Sequence, residues 1–292
     1  MKTLSHPNER IKFIFESLLK ETETQHLKIC KGILGVNRSC SNLAVLGELG
    51  RMPMIIYCLQ KQFLFFHRSI NLTGNNLVTR AFNESYHLKE NGHFSWINSC
   101  CLCLEAFGID SNPSKLRNMK TKQFKLLVNR ILTNSYERYW LSKIKSTAGP
   151  SNSGGNKLRT YATFKARIQR EPYTKIKDKS LRRCLAKFRC SDHRLQIEVG
   201  RREKILVEER KCLMCNENAI EDEQHFLTTC PKYGTLRTQL YENIGHSVPN
   251  FNSLSAEQKF IYMMSSESPQ TVQRVTCFIK SAFETRSTSK TT

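Results

Sequence analysis

Aspartate is scarce in this chain of 292 residues. It occurs only as Asp110, Asp178, Asp192 and Asp222, and no two of these are adjacent. Two-metal phosphoryl transfer needs carboxylates clustered around the ions, whereas these aspartates are each far from the next along the chain. A Gly-rich phosphate loop, a Gly-x-Ser-x-Gly elbow and a His-Glu-x-x-His pair are also missing. We therefore predict that the chain is not an enzyme and has no small-molecule substrate.

Long apolar runs are missing as well. The longest apolar region, residues 54–67, is interrupted by Gln60, Lys61 and Gln62 and is too short to cross a bilayer. Residues 1–7 lack the apolar stretch of a secretory signal. We expect a nuclear or cytoplasmic protein that is not secreted and has no membrane partner. In those compartments the twelve cysteines should be reduced, as buried thiols or metal ligands.

Acidic residues are too few to balance the basic ones. The chain has 46 Lys and Arg against 25 Asp and Glu, for a formal charge of +21. Such a surplus repels itself unless a polyanion or counterions screen it. The hydrophobic content of 39% is nevertheless that of a folded protein. Nucleic acid is the commonest polyanionic partner of such a chain.

A change of composition divides the chain. Residues 146–156 contain no charge and no large apolar side chain, which indicates a linker. The predicted order is a helical region (1–145), the linker (146–156), a basic region (157–211), a zinc-binding module (212–245) and C-terminal helices with a tail (246–292). The predicted fold class is mainly α, with a helical N-terminal bundle, a basic helical region and a small zinc-stabilised module that includes a short β segment.

Apolar spacing places the helices of both halves. Gly35 and Gly50 are expected to end two of them, Ser41 to cap one, and Pro53 to lie in the first turn of another. A basic helix is predicted around 179–189. Leu195, Ile197 and Val199 alternate with polar residues and predict a short strand. The other helices are expected at 11–19, 28–34, 42–49, 53–70, 96–107, 124–132, 254–264 and 272–283.

The sharpest motif is a cluster of cysteine and histidine. Cys212, Cys215, His225 and Cys230 follow the spacing C-x2-C-x9-H-x4-C. Two thiolates from a tight turn, with a following His and Cys, can complete a closed tetrahedral Zn²⁺ site. The alternative is three reduced thiols and a histidine at chance spacing. A gag-type knuckle has four residues where this chain has nine, so base recognition does not carry over. Glu217, Glu221, Asp222 and Glu223 are expected to form an exposed acidic loop.

The other cysteines are expected to be structural. Cys100, Cys101 and Cys103 lie in an apolar helical stretch that favours buried thiols. His193, between the basic helix and the predicted strand, is expected to make a structural or phosphate contact rather than to act in catalysis. The scattered cysteines, predicted to lie in the core, are Cys30, Cys40, Cys58, Cys184, Cys190 and Cys277.

Residues 157–194 hold 13 Lys or Arg against three acids. Cations neutralise phosphates, and the interleaved Tyr161, Phe164 and Tyr173 could stack on unpaired bases. The alternative is a solvated helix face with these aromatic rings in the core. A charged face usually mixes signs, so nucleic-acid contact is favoured. The candidate contact residues are Lys157, Arg159, Lys165, Arg167, Arg170, Lys179, Arg182, Arg183, Lys187 and Arg189.

Four segments carry a resemblance to a known family. They read KGILGV (31–36), NLAVLGELGRMP (42–53), LRRCLAKFRCSDHRL (181–195) and EDEQHFLTTCP (221–231). In this order they resemble the region beyond the polymerase domain in animal LINE-type (non-LTR) retrotransposon polyproteins. The resemblance spans roughly residues 29–240 and implies a Cys-Cys-His-Cys cluster at the four positions already named. It also implies binding of the element's RNA or target DNA.

These observations predict a nucleic-acid-binding protein. We expect a C-terminal fragment of a retrotransposon polyprotein that binds RNA or single-stranded DNA and lacks polymerase and nuclease active sites. The alternative is a protein–protein adapter, derived from a retroelement, in which zinc only supports the interaction surface.

Overall fold

The computed structural model describes residues 19–146 and 157–288. These residues are mainly α-helical, which confirms the predicted fold class. The β pairing found among them is limited to two isolated bridges, Leu49 with Arg170 and Lys211 with Ile220. The helices are α1 (Lys20–Leu34), α2 (Asn42–Leu49), α3 (Met54–Ile70), α4 (Leu77–Glu90), α5 (Trp96–Ala106), α6 (Pro113–Arg117), α7 (Thr121–Lys145), α8 (Tyr161–Phe164), α9 (Lys179–Arg189), α10 (Gln196–Arg202), α11 (Gly234–Gly245), α12 (Ala256–Ser265) and α13 (Pro269–Thr288).

Glycine ends two helices as predicted, whereas Ser41 and Pro53 differ from the prediction. Gly35 and Gly50 end α1 and α2 with positive φ angles of 70° and 62°, as the left-handed C-cap requires. Ser41 precedes α2, but its side chain makes no capping hydrogen bond. Pro53 precedes α3 rather than lying in its first turn. The helix predicted at 11–19 lies outside the described residues, apart from Leu19.

The predicted strand at 195–199 is wrong. Gln196–Arg202 forms α10, because the polar positions of the alternating pattern are not solvated. Glu198 is fully buried, and its carboxylate lies 2.9 Å from both Arg159 and Arg201. The backbone N–H of Ile197 donates to the Glu221 carbonyl. The predicted short β segment is therefore not found in the described residues, where Lys211–Ile220 is only an isolated bridge.

One compact unit contains residues 19–26 and Met52–Trp140 of the described chain. Its core contains Phe66 of α3, with ring centroids 6.0 Å from Phe82 and 6.2 Å from Trp96. Phe124 of α7 stacks on His67 at 4.5 Å, so the apolar stripe predicted for α7 faces this core. No described helix, here or elsewhere in 19–146 and 157–288, has the length and apolar character to cross a membrane.

The second compact unit contains Leu27–Arg51 and the described residues from 141 onward. Its core is an aromatic cluster in which Phe226 stacks on Phe283 at 4.7 Å. Phe188 of α9 lies 5.7 Å from Phe226, and Tyr233 lies 4.8 Å from it. Residues 27–51 therefore group with the C-terminal half rather than with the rest of 1–145. The predicted linker falls outside the described residues, apart from Ser146.

Candidate metal centre and cationic surface

A tight loop presents the first two candidate ligands. The isolated bridge between Lys211 and Ile220 closes it, and the Cys212 backbone N–H donates to the Ala219 carbonyl at 2.8 Å. Cys212 is buried and Cys215 half-buried. The x2 spacing therefore turns both thiols toward the protein interior, as expected for a metal-binding turn.

A single π-helical turn, His225–Thr229, presents the other two. Asp222 Oδ1 accepts from the His225 backbone N–H at 2.7 Å and fixes the start of the turn. The Cys230 N–H donates to the His225 carbonyl at 2.8 Å and closes its end. The x4 spacing thereby brings the imidazole and the third thiol to the same side.

The four ligand atoms converge. All lie within 4.8 Å of one another, with Cys212 Sγ 3.9 Å from Cys230 Sγ. Cys215 Sγ lies 3.4 Å from His225 Nε2. Tetrahedral zinc with ordinary bond lengths would place two sulfurs about 3.8 Å apart, and a sulfur about 3.6 Å from a nitrogen. The four residues that can therefore hold a metal ion are Cys212, Cys215, His225 and Cys230. Four protein ligands complete a tetrahedral site and leave no position for a substrate.

Neighbouring groups orient the ligands. His225 Nδ1 lies 2.9 Å from Thr229 Oγ1, a contact that directs Nε2 toward the thiols. The Met214 backbone N–H donates to Cys212 Sγ at 3.4 Å. Backbone donors of this kind stabilise a thiolate.

Two of the thiols interact directly. Their hydrogen bond raises the pKa of Cys212 to about 12 and lowers the pKa of Cys230, which also receives a backbone hydrogen bond from Lys232. A metal binds thiolates, so binding at this pair must release protons.

The expected acidic loop is not exposed as a whole. Glu221 and Glu223 are 1% and 2% exposed, which contradicts the prediction for both. Arg286 of α13 lies 2.9 Å from Glu221, and Arg159 lies 3.0 Å from Glu223. His193 Nε2 also contacts Glu223 at 3.0 Å, so this histidine makes the structural contact. Long-range ion pairs bury these acids.

Seven of the ten predicted contact residues are exposed or half-buried and form no ion pair with a buried acid. Arg167, Arg170, Lys179, Arg183 and Lys187 are exposed, and Lys157 and Arg182 are half-buried. Three further cations of the same stretch, Lys175, Lys177 and Arg194, are also exposed.

The other three predicted contacts pair with acids inside the protein. Lys165 and Arg189 are each 4% exposed. Lys165 pairs with Glu171, and Arg189 with both Glu171, at 2.9 Å, and Glu48, at 2.6 Å. Arg159 is half-buried and pairs with the buried Glu198 and Glu223. In this fold the three cations neutralise carboxylates, and we remove them from the predicted surface.

The aromatic rings of the basic stretch do not face solvent. Tyr161, Phe164 and Tyr173 are 0%, 8% and 1% exposed, and the guanidinium of Arg189 lies 4.7 Å from the Phe164 ring centroid. The expectation that they stack on bases is therefore wrong, and their core alternative is correct.

Two cations from outside the basic stretch, Lys31 and Arg38, lie beside it. Lys31 lies in the last turn of α1, and its Nζ donates to the Arg38 carbonyl of the following loop at 2.7 Å. Lys157 Nζ donates to the neighbouring Ser39 carbonyl at 3.1 Å, and Arg183 lies against Gly35. Burial and the nearby Lys157 lower the pKa of Lys31. No local pattern in residues 31–38 signals this proximity.

The remaining cysteines divide between core and surface. Cys30, Cys40, Cys100, Cys101 and Cys190 are buried, as predicted. Cys103 and Cys184 are half-buried, whereas Cys58 and Cys277 are exposed, so the expectation of a core position is wrong for these two. Each exposed cysteine lies on the outward face of a long helix (α3 and α13).

Comparison of the chain with protein-family models, with curated proteins and with solved structures found no match.

Proposed function

We propose that this chain binds nucleic acid through the outward face of residues 157–194, joined by Lys31 and Arg38. The observation that carries the proposal is the fate of the acids in this stretch. Glu171 and Asp192 are buried, and the exposed Asp178 caps α9. Eleven of the 13 cations are exposed or half-buried, and of these only Arg159 pairs with buried acids. The outward charge is therefore almost entirely of one sign, which suits a row of phosphates.

The buried acids also keep the surface in place. Asp192 accepts from the backbone N–H and the side-chain amide of Asn37, both at 2.8 Å. This contact holds the end of α1, with Lys31, and the following loop, with Arg38, against the end of α9. The same carboxylate that would have neutralised the surface instead assembles it.

Salt-titrated binding to single-stranded RNA and DNA tests the proposal. The logarithm of affinity should fall linearly with the logarithm of salt concentration, with a slope of about 0.7 to 0.9 per phosphate contacted. The charge reversals Arg183→Glu and Lys187→Glu should weaken binding and flatten the slope. The matched control reverses two exposed lysines of α7, Lys122→Glu and Lys125→Glu, and should change neither.

Two results would overturn the proposal. One is no binding of either polynucleotide at low ionic strength. The other is equal losses in the α9 variant and in its α7 control, which would indicate only a response to net charge. Weak binding without a salt slope would favour the adapter alternative.

Zinc is the metal that we assign to the four-ligand centre. Three thiolates and one imidazole form a soft, closed donor set, typical of structural zinc. The residues that would hold it are Cys212, Cys215, His225 and Cys230. Elemental analysis of purified protein should find zinc at one ion per chain, and Cys215→Ser should lose it. Iron at this stoichiometry would contradict the assignment.

The partner follows from the resemblance of the four sequence segments. We assign the chain to the C-terminal region of LINE-type retrotransposon polyproteins, with the element's RNA or its target DNA as ligand, in the nucleus or cytoplasm. The described carboxylates support a non-enzymatic role: Asp110 pairs with Lys115, and Asp222 caps the His225 turn. Polymerase and nuclease assays with Mg²⁺ should be negative, and activity in either would refute the non-enzymatic role.

A further inference from the structure

A groove opens beside the basic helix in the second unit. It has a volume of about 760 Å³ and lies between the Pro172–Lys175 turn, the start of α9 and the start of α13. Pockets of this size usually take a small organic ligand or part of a larger one. All the lining side chains belong to one compact unit.

The rim of the groove is cationic. Arg170, Lys175 and Lys177 line it and are exposed, and among the described residues none of the three forms an ion pair. Two carboxylates also line it. Asp178 accepts from the Ser180 and Leu181 backbone N–H groups at 2.7 and 3.1 Å, and the exposed Glu267 contacts Arg167 at 3.4 Å. Three cations against these two carboxylates leave the rim with a net positive charge for a phosphate.

The wall of the groove is apolar. Pro172, Ile176, Leu181, Pro269 and Val272 contribute to it. A nucleobase has two apolar faces, and it can rest on such a surface once it is unstacked. None of the described residues lining the groove is aromatic. A base would therefore pack against aliphatic side chains instead of stacking on an aromatic ring.

The amides at the edge provide hydrogen bonds without strict selectivity. Gln169 and Gln273 line the groove, and each amide both donates and accepts. Gln273 can therefore meet the edge of any base, and Gln169, whose Nε2 donates to Glu267 Oε1 at 3.4 Å, keeps its carbonyl oxygen as an acceptor. A duplex keeps its bases stacked inside the helix, so only an unpaired nucleotide can reach the apolar wall.

We infer that this groove seats an unpaired nucleotide of single-stranded nucleic acid, with its phosphate at Arg170, Lys175 and Lys177 and its base against the apolar wall. The inference rests on the proposed function and adds the place where one unpaired nucleotide is held. RNA and single-stranded DNA share the chemistry that the groove recognises, so the experiment includes both.

The test places a large side chain in the groove. Gln273 is exposed on α13 and lines both this groove and a second groove between α11 and α13, which Gln239 also lines. Gln273→Trp should block the proposed site, and Gln239→Trp is the matched control for the second groove. Binding of the full chain is measured with a short single-stranded RNA, the same sequence as single-stranded DNA, and a duplex, at one salt concentration.

The wild type should bind either or both single strands more tightly than the duplex. Gln273→Trp should weaken single-strand binding about tenfold, the order expected for one lost base contact, and leave duplex binding unchanged. Gln239→Trp should change neither. A loss confined to RNA or to DNA identifies the source of the nucleotide. An unchanged single-strand affinity in Gln273→Trp, or an equal loss in its control, overturns the inference.

Two further measurements keep the outcome decisive. If Gln273→Trp fails to fold by circular dichroism, the double variant Lys175→Glu and Lys177→Glu takes its place and should weaken single-strand binding more than duplex binding. Crosslinking of 4-thiouridine RNA should label peptides within residues 169–181 or 267–273. Labelling elsewhere alone overturns the inference. If the groove variants have no effect but Arg183→Glu and Lys187→Glu still weaken binding, the inference fails and the proposed function is retained. If the chain binds no polynucleotide, both fail.

Discussion

At the scale of single residues, the second unit depends on buried charges. Arg189 is enclosed by Glu48, Glu171 and the Met264 carbonyl, to which it donates. A buried ion pair adds little net stability, but removing one partner leaves the other charge without compensation. These side chains are therefore sensitive positions, although none lies on the proposed binding surface.

We predict that Arg189→Ala destabilises the protein by about 3–5 kcal/mol, because Glu48 would remain buried without its partner. Denaturant unfolding measures the change. Lys187→Ala, two positions earlier on the exposed face of α9, should stay within about 0.5 kcal/mol. Equal, small effects of both substitutions would show that Arg189 is not essential to the core.

The same pair makes stability depend on pH. Burial alone would raise the pKa of Glu48, but the Arg189 guanidinium holds that pKa below its ordinary value. A carboxyl with a depressed folded-state pKa contributes stability above its unfolded value of about 4.3, and loses it as the pH falls further toward the folded value.

We therefore predict that the difference in unfolding free energy between wild type and Glu48→Gln is largest near neutral pH and shrinks below about pH 4. Comparing the two proteins at each pH cancels the contribution of acid-induced metal release, since both keep the same four ligands. A constant difference between pH 3 and pH 7 would contradict a depressed pKa for Glu48.

At the scale of elements, the backbone at the end of α2 lies very close to the backbone of Arg170 in the second unit. Gly50 has a φ angle of +62°, and a Cβ atom placed on it would lie 2.3 Å from the Arg170 backbone nitrogen. The Leu49–Arg170 bridge passes at this point. Both the backbone conformation and the close approach therefore require glycine.

We predict that Gly50→Ala costs more than the roughly 1–2 kcal/mol of left-handed strain alone, because backbone atoms must also move. Gly92→Ala is the control: its φ is +77°, but no atom of a neighbouring group lies within 4 Å of the position that its Cβ would take, so it should cost only the strain. Thermal unfolding of both variants gives the comparison. Equal costs would mean that the chain near Arg170 moves aside without penalty.

Elements could be predicted from local spacing where burial follows that spacing. The bounds of α2 and α9 match the predicted ones. In α9, Leu185 and Phe188 of the predicted apolar face are buried. The strand prediction at 195–199 failed because Glu198 is buried by Arg159 and Arg201. A prediction from alternating polarity assumes that every charged residue is exposed to solvent, so it cannot identify a buried glutamate such as Glu198.

At the scale of the whole molecule, the metal centre is continuous with the core of the second unit. Phe226 follows the candidate ligand His225 and stacks at 4.7 Å on Phe283 of α13. Arg286 of the same helix pairs with Glu221 in the metal loop. Metal loss should therefore lower the stability of the second unit, although the contact between α9 and α13 does not involve residues 212–230.

We predict that Cys215→Ser or chelation lowers the melting temperature and removes hydrogen-exchange protection from residues 212–230, with most helical content retained. Helices α3 to α5 should keep their protection, because their core lies in the first unit. Cys184→Ser, another half-buried cysteine, is the control and should retain both the metal and the protection. Uniform loss of protection along the chain would show that the whole molecule depends on the metal.

The sequence by itself determined the helical class, the four candidate metal ligands and the excess of positive charge, because each is a matter of composition or of spacing within a few turns. Only the tertiary structure decided which cations face solvent. Arg189 and Lys187 are indistinguishable by local pattern, yet Glu48, 141 positions from Arg189, buries one and leaves the other exposed. Burial is set by contacts between distant segments, and it separates the cations that neutralise the interior from those available to a phosphate.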